Sequence, residues 1–266
     1  MTVIMLLNHF LDQAPWIDRE TTVDRVIAGD PEKSVSTCMV TWISSFDAVR
    51  KAAAKGVDLL VTHEPTFYKH IRELERTDLS GITGEKKRFI EQNGLTVVRL
   101  HDTWDRWPDI GIPCAWAAFL GLDGPPVATN KGEYPGTQHR YDIEETTVEA
   151  FARTVSGKVA RIGEPLVQVI GNPDQKVSKV GIGTGCGCSI PIYQELGCDL
   201  SVVCDDGSVY WRDIQRAEDE GHPVIRVNHG TSEEPGMATL AGYINGNLPD
   251  VEAVHLPHGA TFRLVG

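Results

Sequence analysis

The sequence predicts an α/β protein built from two similar lobes, each a mostly parallel sheet covered by helices. Three observations predict it. Strands and helices alternate from about residue 36 onward, and the short apolar runs are of the kind a parallel sheet covers on both faces. The second half also repeats parts of the first: KGVDLLVTHEP (Lys55–Pro65) aligns with LGCDLSVVCDDG (Leu196–Gly207). In the same way NGLTVVRLHDTWD (Asn93–Asp105) aligns with EGHPVIRVNHGTSE (Glu220–Glu233) through a shared G-x-x-V-[VI]-R-[LV]. A pseudo-two-fold pair of lobes accounts for these matches, although two unrelated βα units can also look alike over so few residues.

MLLNHFLDQ (Met5–Gln13) reads as an amphipathic opening helix. Ser36–Ile43 is rich in strand formers, and Asp47–Lys55 is a helix closed by Gly56. Val57–Val61 is a short apolar strand. A helix over Thr83–Gln92 leads through Asn93-Gly94 to a strand at Leu95–Leu100, and another helix lies near Pro113–Leu120. The Gly- and Pro-rich segment Gly121–Gly136 is the best linker, giving expected domains of 1–125 and 126–266. In the second, Val177–Ile182, Asp199–Val203 and Pro223–Val227 read as strands, Ile190–Leu196 and Tyr210–Glu220 as helices. A helix near Met237–Asn245 and a strand near Thr261–Val265 are expected to close the chain.

With 41% hydrophobic and 23% charged residues, the 266-residue chain has the composition of a folded globule. Its formal net charge of −12 argues against nucleic acid as a partner, because phosphate contacts need a basic face. The opening apolar run is too short to span a bilayer and lacks the basic flank and cleavage site of a signal peptide, so no membrane partner is expected. The six cysteines are scattered, which suits reduced thiols in a cytoplasm better than a disulfide framework.

Ligands of open α/β sheets gather at the carboxyl ends of strands. Three polar clusters fall there: His63-Glu64, held extended by Pro65; Asp105; and His229 with Glu233. Imidazole and carboxylate together are the ligands of borderline divalent metals, and bridging acids can hold two ions about 3.5–4 Å apart. Three acids converging without a cation would repel one another. Each residue alone also has a bland reading, as a hydrogen-bonded or solvated side chain. His101, four residues before Asp105, is either a ligand or an acid/base beside the metals, and the second role suits it better.

These motifs, T-H-E-P-T-F-Y (Thr62–Tyr68), H-x-x-x-D (His101–Asp105) and H-x-x-x-E (His229–Glu233), resemble one known family, as does the turn GIGTGCGCSI (Gly181–Ile190). It is the NGG-one-interacting-factor-three-like family, whose members carry the name GTP cyclohydrolase type-two homologues. The resemblance runs from about residue 36 to the C-terminus with every motif in order. It implies paired α/β lobes, a dinuclear metal centre and a toroidal homohexamer, without the large inserted domain of longer members. The chain departs from the family at His63-Glu64, where two consecutive histidines are usual. A carboxylate there favours harder ions, Mn or Fe(II), over Zn.

Other features carry less. The backbone of Gly183, Gly185 and Gly187 could cradle an anion, although tight packing explains these glycines equally well. Cys186 and Cys188 form a C-x-C that lacks partners for a zinc ribbon. Trp104, Trp107 and Trp116 read as packing, and His255 and His258 stay unassigned. Three functions remain open: a hydrolase using two divalent ions (Zn, Fe or Mn) on a nucleotide or other small phosphorylated molecule, a non-catalytic metal-binding regulator or scaffold, and a simple α/β domain. Metal-lowered water acidity would supply the hydrolase its nucleophile, with His101 as proton shuttle.

Overall fold

The computed structural model describes residues 1–132 and 134–265, with Arg76 by its backbone alone. The chain opens with helix α1 (Val3–Asp12) and strand β1 (Arg25–Ala28). There follow β2 (Thr37–Ile43), α2 (Phe46–Lys55), β3 (Leu59–Glu64), α3 (Glu73–Arg76), α4 (Gly81–Gln92), β4 (Thr96–Arg99) and α5 (Asp102–Asp105). Next come α6 (Ile112–Leu120), β5 (Ala128–Thr129), β6 (His139–Thr147), α7 (Val148–Val159), β7 (Gln168–Ile170), β8 (Lys176–Ile182), α8 (Ile190–Glu195) and β9 (Leu200–Cys204). A π turn over Tyr210–Ile214 runs into α9 (Gln215–Asp219). Last are β10 (Val224–Val227), α10 (His229–Asn247) and β11 (Glu252–His255). No helix among the described residues is long and apolar enough to cross a membrane.

The chain folds into two compact units. Unit 1 comprises Met1–Trp107 and Met237–His258, and unit 2 comprises Pro108–Gly236 and Gly259–Gly266. This differs from a division at residue 125, because the chain returns to unit 1 near its end. The last strand is β11, pairing parallel to β2, whereas 261–265 form no strand. Phe262, Leu264 and Val265 are exposed, so the apolar residues of that tail are not buried against either sheet.

Unit 1 contains a five-stranded sheet in the order β1-β4-β3-β2-β11, parallel except for β1. Its middle strand β3 is buried up to Glu64, as expected of a strand covered on both faces. Ile27, Met39, Val49, Leu60, Ile90 and Val97 form the core beside it. Helix α1 buries Val3, Leu6, Leu7 and Phe10, the one-face spacing of an amphipathic helix. Helix α2 is capped by Ser45, whose Oγ accepts the Ala48 N–H at 3.1 Å, and ends at Gly56 with φ +66°.

Unit 2 departs from the mostly parallel expectation. Its sheet runs β5-β6-β8-β9-β10-β7, and only the β8–β9 and β9–β10 pairs are parallel. Strand β6, HRYDIEETT, alternates buried and half-exposed residues at its start, the pattern of an antiparallel strand with one wet face. Segment Gly121–Gly136 lies inside unit 2 and supplies β5. The core gathers Val148, Phe151, Val155, Val180, Ile182, Leu200, Val202 and Ile225.

His139 on β6 is buried, its Nδ1 2.9 Å from Thr129 Oγ1, and burial lowers its pKa to about 4. The unfolded chain therefore binds a proton between about pH 6.5 and 4 that the folded chain refuses. Stability is present above the unfolded value and is lost as the pH falls through this window. His139→Leu is expected to flatten that loss by about 2–3 kcal/mol, read from urea unfolding at pH 7 and pH 4.5. An unchanged pH slope would exclude His139 as its origin.

The matching stretches of sequence use the same two devices in each unit. Asp58 accepts the Ser36 and Thr37 backbone N–H groups at 3.0 and 3.1 Å, tying the start of β2 to β3. Asp199 does the same for Ser178 and Lys179 before β9. At the opposite strand ends, Arg99 Nε donates to His63 O at 2.9 Å, and Arg226 Nη2 donates to Asp205 O at 2.9 Å. Each arginine thereby fixes the exit of the neighbouring parallel strand, where the candidate ligands sit.

Candidate metal centre

In unit 1, β3 delivers His63 and Glu64, and the turn from β4 into α5 delivers His101 and Asp105. His63 is buried, and its Nδ1 lies 3.3 Å from the carbonyl of Leu100. That contact draws the ring proton to Nδ1 and leaves Nε2 as the lone-pair nitrogen, 3.5 Å from Asp105 Oδ1. The rings of His63 and His101 stack with centroids 4.2 Å apart. One ligand atom each from His63, Glu64 and His101 falls within a mutual 4.8 Å.

His101 is fixed from several sides. Asp24, 77 residues earlier, accepts the backbone N–H groups of His101, Asp102 and Thr103 at 2.6, 2.9 and 2.8 Å, capping α5. The His101 Nδ1 lies 3.1 Å from both Asp102 Oδ1 and Asp105 Oδ2. Burial works to lower its pKa, but the carboxylates of Asp105, Asp102 and Glu64 outweigh burial and hold it well above the usual value. Asp102 is held well below the usual carboxylate range: its burial is overcome by His101, Thr22 Oγ1 and the Val23 N–H.

Behind Glu64 lies a buried arginine. Arg99 donates to the His70 carbonyl at 2.9 Å and to His70 Nδ1 at 2.8 Å, with Glu64 at 3.9 Å and Glu73 at 4.0 Å. Glu73 in turn accepts the Phe67 N–H. Its pKa is raised by burial, which outweighs that bond, Arg99 and Lys86. The loop from β3 to α3 carries Tyr68 at φ +62° and Arg72 at φ +53°, conformations that side chains seldom adopt.

In unit 2 the turn from β10 into α10 delivers His229 and Glu233, with His229 Nε2 3.0 Å from Glu233 Oε2. Asp205 Oδ1 accepts the His229 N–H at 2.6 Å, and both Glu164 oxygens accept the Asn228 N–H at 3.1 and 3.0 Å. These acids satisfy backbone donors at the start of α10 and favour its dipole. Asp206 Oδ2 lies 3.2 Å from His229 Nδ1. Against burial, Glu233 and Asp206 push the His229 pKa up to about 12.

Of the three glycines of the turn, Gly185 (φ +52°) lies against this pair, where an added Cβ would come within 2.5 Å of both Glu233 Oε1 and His229 Nε2. Gly183 packs under the Tyr193 hydroxyl, and Gly187 faces open space. Trp104 and Trp107 pack with Phe10 and Tyr243, in accord with their reading as packing, and Trp116 stacks on Phe119 in the core of unit 2. His258 lies against Trp42, and His255 ends β11.

Each unit thus contains residues that suit a divalent cation. The donors are imidazole nitrogens and carboxylate oxygens, and the carboxylate field that holds protons on His101 and His229 would hold a cation as well. Sequence reading missed Asp24, Arg99, Asp102, Glu164 and Asp206. Arg99 and Asp102 left a signal, a charge inside an apolar strand and an acid beside His101; Asp24 and Glu164 act from far away in sequence and left none.

The family model described as Duf34/NIF3 (NGG1p interacting factor 3) matches residues 6–258. A protein of Clostridium perfringens named GTP cyclohydrolase 1 type 2 homolog is 21% identical over 259 residues, 94% of each chain. The fold is similar to that of Staphylococcus aureus protein SA1388, with TM-score 0.81, 18% identity, and coverage of 100% of this chain and 99% of that one. Reduced HcgD from Methanocaldococcus jannaschii superposes with TM-score 0.74 at 19% identity, covering 96% and 98%. The match across nearly the whole chain, with the metal-ligating residue types at its strand ends, makes this protein a member of the Duf34/NIF3 family.

Proposed function

We propose that this protein is a metal-dependent, hydrolase-like protein acting on a nucleotide or another small phosphorylated molecule. The proposed ligands of two divalent ions are His63, Glu64 and Asp105 from unit 1 and His229 and Glu233 from unit 2. The observation that carries the reading is the grouping of His63, Glu64 and His101 within 4.8 Å, beside Asp105. The ions' contribution when bound is to lower the pKa of water toward ~7.

The chain's own residues would do the rest. Leu100 O sets the His63 tautomer, and Asp24 holds the backbone from which His101 and Asp105 project. His101, bonded through Nδ1 to two carboxylates, is proposed as the proton shuttle. The substrate anion would be met by the ions or by the turn containing Gly183, Gly185 and Gly187. The name of the Clostridium perfringens relative supports a nucleotide such as GTP as the first substrate to try. A cytoplasmic homohexamer belongs to the same proposal.

Two measurements test it together. Elemental analysis of protein purified without chelator is expected to find Mn, Fe or Zn at up to two ions per chain. A nucleotide panel with added metal is expected to show turnover that chelation removes. Metal without turnover would leave a regulatory or scaffold role, and no metal even after added ions would end both readings.

A further inference from the structure

We propose that Cys188 and Cys204 form a redox-active thiol pair that closes into a disulfide under a peroxide. The two sulfurs already touch: Cys188 Sγ lies 3.6 Å from Cys204 Sγ, and both side chains are buried in unit 2. A disulfide needs about 2.05 Å, so the sulfurs must approach by roughly 1.5 Å, a movement two side-chain rotations can share. Cys188 follows the Gly185–Gly187 turn, its N–H bonded to Gly185 O at 3.4 Å, while Cys204 ends β9. Gly207 leaves room for Cys188, because a Cβ there would come within 2.8 Å of the Cys188 Cβ.

The chemistry balances with hydrogen peroxide as oxidant. One thiolate attacks a peroxide oxygen, breaking the O–O bond, to give a sulfenic acid and hydroxide. The second sulfur then attacks the sulfenic sulfur, forms the S–S bond and expels water. Two thiols and one peroxide give one disulfide and two waters, two electrons passing from sulfur to oxygen. Burial holds the Cys204 thiol well above its usual pKa, which makes Cys204 a slow nucleophile towards peroxide.

Oxidation would be felt nearby. The Cys204 S–H donates to Ser232 Oγ at 3.0 Å, and Ser232 Oγ donates to His229 O at 2.7 Å. Closing the disulfide removes the first of these bonds at the start of α10, between His229 and Glu233. Formation of the disulfide itself does not depend on metal binding.

The full-length protein is treated with hydrogen peroxide, quenched, alkylated under denaturing conditions and mapped by mass spectrometry. Expected is loss of two alkylatable thiols, a non-reduced peptide pair joining Cys188 to Cys204, and return of both thiols with dithiothreitol. Cys204→Ser abolishes the bridge and Cys186→Ser leaves it intact. If both thiols stay alkylatable while Cys186 oxidises, or if the bridge runs through Cys186, the proposal is wrong. The wild-type map decides this even where a variant folds poorly.

Discussion

Arg99→Met is expected to destabilise the protein by about 3–5 kcal/mol in urea or guanidinium unfolding. Arg99 is fully buried, and its guanidinium makes three hydrogen bonds, to His63 O, His70 O and His70 Nδ1. Methionine fills a similar volume, so the loss comes from the partners left behind. Glu73 is buried with an oxygen 4.0 Å from Arg99, and Glu64 lies 3.9 Å from it. Lys86, buried and bonded to Ser44 O, is the other cation that acts on Glu73. Arg99→Lys is expected to recover less than half of the loss, since an ammonium cannot reproduce the fork that spans two residues. A loss below about 1 kcal/mol would show that the carboxylates need no buried cation.

Asp105→Ala is expected to weaken metal binding by more than about 100-fold, the upper range for losing even an outer partner of a metal site. Asp105 reaches both histidines, with Oδ1 3.5 Å from His63 Nε2 and Oδ2 3.1 Å from His101 Nδ1. Its side chain is 25% exposed, and α5 stays capped by Asp24 without it. The metal-free variant should therefore unfold within about 1 kcal/mol of wild type. Calorimetric titration with Mn(II) or Zn(II), paired with thermal unfolding of the stripped protein, separates the two effects. Unchanged affinity in a folded variant would remove Asp105 from the ligand set.

Much of the fold can be read from local pattern. The helices α1, α2 and α4 and the strands β2, β3, β4, β8, β9 and β10 follow from caps, glycine stops and apolar runs. Helix α7 was not read from the sequence, although Val148, Phe151, Ala152, Val155 and Val159 lie at helical spacing after the Thr147 cap, whose Oγ1 accepts the Ala150 N–H. The polar strand β6 and the three-residue edge strand β7 were not legible: β6 lacks an apolar run and β7 is too short to show a pattern, so both owe their form to pairing with neighbouring strands.

The sequence by itself determined the α/β class, the strand ends bearing His63, Glu64, Asp105, His229 and Glu233, and the family whose motifs these are. Those properties rest on short-range chemistry, such as side-chain periodicity, proline and glycine geometry, and neighbouring ligand types. Only the tertiary structure decided that β11 joins the sheet of β2, that Asp24 caps α5, and that Glu164 and Asp205 hold the start of α10. The reason is physical: a buried backbone donor must find an acceptor, and folding supplies one from whichever distant segment comes to lie beside it.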